Sequence, residues 1–432
     1  MFGDGFMSKS IFILQGNIVY SKSPQELEIC RRGYAVCQDG YVKGVYQTLP
    51  FRLGGNPIAD YGDCLIIPGL VDLHVHASQY AVRGTGMDRE LLEWLETTPF
   101  PEEAKFTDPE YAQKAYQIFV EDLKKSPVTR ACIFATVHRE TVLLLMDLLE
   151  KSGLDTFVGK VNMDRNCPDY LREDTEQSVA ETEKWIREAA ERNYKNTRPI
   201  LTPRFIPSCT NELLDGLKQL QRAYGLPVQS HLSKNPEEIG RVKELRPEAE
   251  FYGDAYDRSG LFGGDCRTIM AHCVYSTEKE IKRMQEKGVF LAHCPESNMN
   301  LASGIAPVRK FLDRGMHVGL GSDVAAGTSV NLFAAMRQAL QVSKMRWRIQ
   351  DKTQKPLTLE EVFYMATRGG GEFFGKAGSF EPGYEFDAVV LDDSRLQSPE
   401  PLDIRSRLER LIWLGDEREV RAKYVKGVRL EI

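Results

Sequence analysis

Apolar and polar positions along the chain fall into three regimes. From residue 11 to 68, short apolar runs alternate with turns, as in IFILQGNIVY, GYAVCQDGYVKGVYQ and CLIIPG. That texture predicts β-strands joined by hairpins. The end of the chain repeats it in EFDAVVLDD and VRAKYVKGVRLEI. Between the two ends, eight strand-like runs lie near 70–76, 128–135, 156–162, 198–205, 227–231, 267–272, 288–293 and 317–323. Amphipathic helix-like stretches such as EQSVAETEKWIREAAERN separate them. Strands alternating with helices predict a parallel sheet, and eight such units over roughly 300 residues predict a TIM-type barrel. The expected fold class is α/β: a (β/α)8 barrel with a small β-sandwich domain built from both termini. The expected organisation is 1–68 as the first part of the small β domain, 69–375 as the barrel and 376–432 as the remainder of the small domain.

Composition narrows the function classes. Hydrophobic residues make up 42% and charged residues 27%, which supplies a large core and excludes a disordered chain. Lys plus Arg is 56 against 62 for Asp plus Glu, a net charge of -6, so the basic footprint of a nucleic-acid partner is missing. No apolar run approaches the roughly 20 residues that cross a bilayer, so no membrane association is expected. The opening MFGDGFMSKSIF has no basic segment followed by an apolar one, and no secretory signal is expected there. Nine cysteines, an odd number without a CxxC pair, point to free thiols in a reducing compartment. A cytoplasmic enzyme with a small-molecule substrate is the expected class.

The candidate chemistry lies at the ends of the predicted strands. His74 and His76 stand two apart on the first strand, where alternate side chains point the same way. His231 ends the fifth strand, His272 the sixth, and Asp323 the eighth. Barrel enzymes build their sites at those ends. Imidazoles plus one carboxylate suit Zn²⁺, with Fe²⁺ as the alternative, and leave a position for water. His317 begins the eighth strand, at the opposite face, and reads as structural. His138, in ATVHRE, reads as packing, or as a residue that orients a ligand. His293, in AHCPESN, is a candidate substrate-facing residue.

The series PGLVDLHVH, SHLSK, AHC and GSD, in this order, resembles the amidohydrolase superfamily. PGLVDLHVHASQY, LLEWLETTPFPEEAKF, FVGKVNMD, TPRF, AHCPESNMNLASG and GLGSDVAAG resemble its guanine deaminases, over about residues 60–415. The resemblance implies one zinc per subunit held by His74, His76, His231 and Asp323. His272 stands at the position that binds the attacking water or the metal. Zinc lowers the pKa of water from 15.7 toward about 7, and the activated water would attack C2 of guanine, releasing ammonia and leaving xanthine. Asp323, His272 and Lys234 are the implied catalytic positions, and His231 serves substrate as well as metal. Arg204 in TPRF matches a substrate contact whose fork pairs with guanine O6 and N7. Gln79 has a donor and an acceptor for another ring edge, and Phe205 an aromatic face for stacking. A homodimer is implied by the resemblance alone.

One residue departs from the pattern. The family carries SHxSE, whose Glu moves protons between water, ring nitrogen and leaving amine; this chain reads Ser230-His231-Leu232-Ser233-Lys234. An ammonium accepts no proton, so guanine turnover by an altered relay, another substrate, or impaired activity stay open. Asn235-Pro236-Glu237-Glu238 reads as an ordinary helix start. Two rival readings stand beside this one. In a binuclear cyclic-amide hydrolase, Lys160 in FVGKVNMD would be the carboxylated lysine, although the run that carries it is the third and not the fourth. The other rival is an inactive barrel acting as a binding or scaffold protein.

Overall fold

The computed structural model describes residues 11–432. The opening MFGDGFMSKS, which carries most of the signal-peptide reading, lies outside the described residues. Strands β1 (Ile11–Ser23), β2 (Glu26–Gln38), β3 (Tyr41–Tyr46) and β4 (Ile58–Pro68) come from the first part of the chain. The barrel region follows with β5 (Leu70–His76), β6 (Val128–Phe134), β7 (Asp155–Gly159), β8 (Val161–Asn162), β9 (Thr197–Pro199) and β10 (Thr202–Pro203). It continues with β11 (Val228–Leu232), β12 (Thr268–His272), β13 (Phe290–His293) and β14 (Val318–Leu320). Strands β15 (Ala388–Leu391), β16 (Val420–Val425) and β17 (Val428–Leu430) come last.

Eight of these pair in parallel in the order β11-β12-β13-β14-β5-β6-β7-β9. A parallel bridge between Leu201 and Val228 joins the two ends of that order and closes the barrel. The eight strand-like runs of the sequence are these eight strands. Every residue of β5, β6 and β12 is buried, as expected where helices cover a sheet that also encloses its own interior. Inside, Val71, Leu73, Cys132, Ile269, Ala271 and Ala292 fill the lumen below the rim.

The two ends of the chain meet in one seven-stranded sheet, β17-β16-β15-β4-β1-β2-β3. It has its own core of Leu14, Ile18, Ile66, Phe386, Val390 and Tyr424. Polar contacts stitch it to the barrel. Arg130 of β6 is fully buried and reaches Asp155 of β7 at 2.8 Å, and Glu385 at 2.7 Å and Asp387 at 2.5 Å beside β15. Lys423 of β16 donates to the Val128 carbonyl at 2.8 Å. His317, just before β14, pairs with Glu372 at 2.8 Å and stacks on Phe290 at 4.4 Å, in line with its structural reading. Among the described residues, no helix is long and apolar enough to cross a membrane.

Candidate active site

The C-terminal rim of the barrel brings four imidazoles and one carboxylate together. His74 and His76 project from the same side of β5, and their Nε2 atoms are 3.3 Å apart. His231 comes from β11, with its Nε2 3.4 Å from that of His76. His272 ends β12, and Asp323 follows β14. Asp323 Oδ1 lies 3.2 Å from His74 Nε2 and 3.4 Å from His76 Nε2, while its Oδ2 lies 3.6 Å from His272 Nε2. Ligand-type nitrogens of His74, His231 and His272 all fall within 4.8 Å of one another. His272 and Asp323 hold left-handed backbone, with φ of 78° and 46°. Non-glycine residues keep that conformation where the surroundings over-determine it, as at functional sites.

Neighbouring atoms orient the rings. His272 Nδ1 lies 2.9 Å from Asn298 Oδ1, and His231 Nδ1 2.6 Å from the Arg204 carbonyl. Each acceptor fixes the proton on Nδ1, so Nε2 presents a lone pair to the cluster. Among the described residues, His272 Nε2 has no hydrogen-bond partner. Burial holds His76, His231 and His272 well below the ordinary histidine range, so their rings are neutral. Burial pushes Asp323 up, yet the Lys234 ammonium and His74 hold its carboxyl well below the usual range. Neutral imidazoles of His76, His231 and His272 beside an ionised carboxylate suit a divalent metal. Cys294 also lies near His74 and Asp323. Burial pushes its thiol well up and its Sγ donates to the Ala292 carbonyl at 3.5 Å, so it packs as a thiol.

A narrow cleft opens beside the cluster, lined by His76, Gln79, Arg204, Phe205, Lys234 and Glu238 together with the apolar Leu91, Trp94 and Leu95. Arg204 and Gln79 reach it tied to a residue that sequence reasoning did not single out. Glu103 accepts from Arg204 Nη1 at 2.6 Å and Nη2 at 2.9 Å, and from Gln79 Nε2 at 2.8 Å. The Arg204 guanidinium lies over the Phe100 ring at 4.8 Å. Glu103, Phe100 and Trp94 all sit in LLEWLETTPFPEEAKF, so the only signal for them was the resemblance of that segment.

Lys234 points into the cluster. Its Nζ donates to Ser297 Oγ at 3.0 Å and lies 3.4 Å from Asp323 Oδ2. The helix Pro236–Leu245 does start as expected, with Asn235 Oδ1 accepting from the Glu238 backbone at 2.9 Å. The Glu238 side chain is more than a first-turn acid, however. Its carboxylate is buried on the cleft, accepting from Tyr252 Oη at 2.6 Å and the Lys234 backbone at 3.2 Å, and burial pushes its carboxyl up.

Other candidates fall outside. The expectation that His293 faces substrate is corrected. Its neighbour Ala292 points into the lumen, so the pleat turns His293 outward, into a separate cavity with Ala306, Arg309, Ala339 and Leu357. Lys160 follows β7, the third barrel strand, and pairs with Glu173 at 2.6 Å, which removes it from the metal cluster. His138 begins the helix Arg139–Ser152 and lines a different surface cavity.

Comparison with known proteins agrees with this geometry. Residues 65–430 match the amidohydrolase family. The chain is 41% identical to a guanine deaminase of Mus musculus over 374 residues, 84% of this chain and 82% of that protein. It is 35% identical to the guanine deaminase of Escherichia coli K12, over 86% of this chain and 84% of that one. A crystal structure of a guanine deaminase from C. acetobutylicum with bound guanine superposes with a TM-score of 0.95 at 48% identity, covering 98% of this chain and 100% of that one.

Proposed function

The chain belongs to the amidohydrolase family, and from that premise we propose that its cleft deaminates guanine hydrolytically to xanthine and ammonia. The observation that carries the reading is the single cleft shared by Arg204, Gln79 and the His–Asp cluster. The metal proposed is zinc, one per subunit, held by His74, His76, His231 and Asp323, with His272 at the metal or the water. When bound, zinc supplies a Lewis acid that lowers the pKa of water toward about 7.

The chain's own residues do the rest. Asp323, ionised, takes a proton from the attacking water as its oxygen bonds to C2. The bond from C2 to the exocyclic amine then breaks. The water's two protons end on the leaving amine and the ring nitrogen, giving ammonia and xanthine. Arg204 binds the purine edge. Its Nη atoms are committed to Glu103, whereas among the described residues its Nε finds no hydrogen-bond partner. That leaves the Nε edge, rather than the whole fork, for a ring acceptor. Gln79 spends its amide nitrogen on Glu103 and keeps its carbonyl oxygen for a ring N–H. Phe205 and Trp94 enclose the ring and exclude water. Lys234 carries no proton from Asp323, because its ammonium donates to that carboxylate and to Ser297.

The test is to incubate zinc-quantified protein with guanine and follow xanthine, with Lys234→Glu in parallel. Xanthine from either protein supports the reading. A zinc-loaded protein that binds neither guanine nor xanthine overturns it. About one metal equivalent supports this site and about two the binuclear rival. A cytoplasmic location has the support of nine free cysteines. A homodimer has the support of Met345 and Ile349, exposed by 49% and 68% on one helix, and sedimentation tests it.

A further inference from the structure

Lys234 is the one residue of the cleft whose charge opposes its neighbours' task. Its side chain is 5% exposed, and among the described residues Asp323 is the only carboxylate it pairs with. Glu238 takes the Lys234 backbone N–H rather than its ammonium. Glu103 is committed to Arg204 and Gln79. Asp323 therefore answers two demands. Its Oδ1 faces His74 and His76, and its Oδ2 faces His272 and Lys234. A cation held by the imidazoles and the Lys234 ammonium address the same buried carboxylate from a few ångströms apart.

We propose that Lys234 is a built-in competitor of the metal: it weakens divalent-cation binding, and it holds Asp323 paired when the cation leaves. The inference rests on the metal-site reading above and concerns this chain's own residue. Two opposite effects follow. With metal bound, the ammonium adds like-charge repulsion; even at the dielectric of bulk water, a unit charge about 5 Å from a dication shifts binding roughly tenfold. With metal gone, the same ammonium balances a buried carboxylate whose other side-chain neighbours are imidazoles, and removing the cationic partner of a buried carboxylate destabilises proteins strongly.

The experiment measures zinc affinity by chelator competition, and melting temperature with and without zinc, for the whole protein and for Lys234→Met, Lys234→Gln and Lys234→Arg. Met and Gln are expected to bind zinc at least about tenfold more tightly. Stripped of metal they melt below the parent protein, and zinc raises their melting temperature by more than it raises the parent's. Arg keeps the charge and keeps the parent's affinity. Should one neutral variant fail to fold, the other still decides. Equal zinc affinity for parent and neutral variants overturns the proposal, as does a metal-free neutral variant that melts higher than the parent. Guanine plays no part in these readouts. The expected affinity pattern in a zinc-loaded protein that binds neither guanine nor xanthine sinks the substrate reading alone, and guanine turnover with equal affinities sinks only this inference.

Discussion

The Arg204 guanidinium and the Glu103 carboxylate meet through two hydrogen bonds, of 2.6 and 2.9 Å, with both side chains almost fully buried. They are 101 residues apart in the chain. Glu103 also holds Gln79, so one carboxylate sets the direction of both polar groups assigned to the purine. Glu103→Gln removes the charge that compensates a buried arginine and lets its edge rotate. Misplacement of about 1 Å costs roughly 10²-fold, and kcat/KM for guanine is expected to fall by about that much. Zinc content should stay at the parent's value. Steady-state kinetics beside metal analysis checks both, and unchanged kcat/KM would separate Glu103 from substrate positioning.

Lys234→Glu restores a carboxylate where the ammonium now donates to Asp323. Positioned acid–base help is worth about 10²–10⁴-fold, so guanine turnover is expected to rise at least about tenfold. A fall in turnover would show instead that the lysine is the working base.

His293 makes acid stability a readout of its burial. Among the described residues neither of its ring nitrogens has a hydrogen-bond partner, and burial lowers its pKa to about 3. The unfolded chain takes up a proton near pH 6.5, whereas the folded ring does so only near 3. Between those values the unfolded state binds more protons, so this contribution is complete above pH 6.5 and is lost as pH falls toward 3. At pH 5 the loss is about 2 kcal/mol. Denaturant titrations at pH 5 and 7.5 should show His293→Phe with a shallower pH dependence than the parent. An identical dependence would mean that the ring protonates freely in the fold.

Arg130 joins barrel and terminal sheet through Asp155, Glu385 and Asp387 with no exposure of its own side chain. Arg130→Met would leave Asp387 and Glu385 without the guanidinium they share. Breaking a buried pair by removing one partner costs roughly 3–5 kcal/mol, and urea unfolding is expected to show a loss of that size. A loss under about 1 kcal/mol would mean that water already reaches this seam.

The sequence by itself determined the alternation of strands and helices, and hence the barrel. It also determined the placing of His74, His76, His231, His272 and Asp323 at strand ends. These are local properties: hydrophobic period sets element type, and a strand's last residue belongs to the rim whatever the rest of the chain does. It also exposed Lys234, because a residue's charge is written in its identity. Tertiary structure alone decided the partners. Glu103 meets Arg204 across 101 residues, and Glu238 turns from helix start to cleft wall only because Tyr252 and the Lys234 backbone hold it there. It also decided which way His293 points. A strand shows both faces equally in sequence, and one step of pleat phase separates the lumen from the outer wall. Ala292 took the inner position, and His293 was left outside.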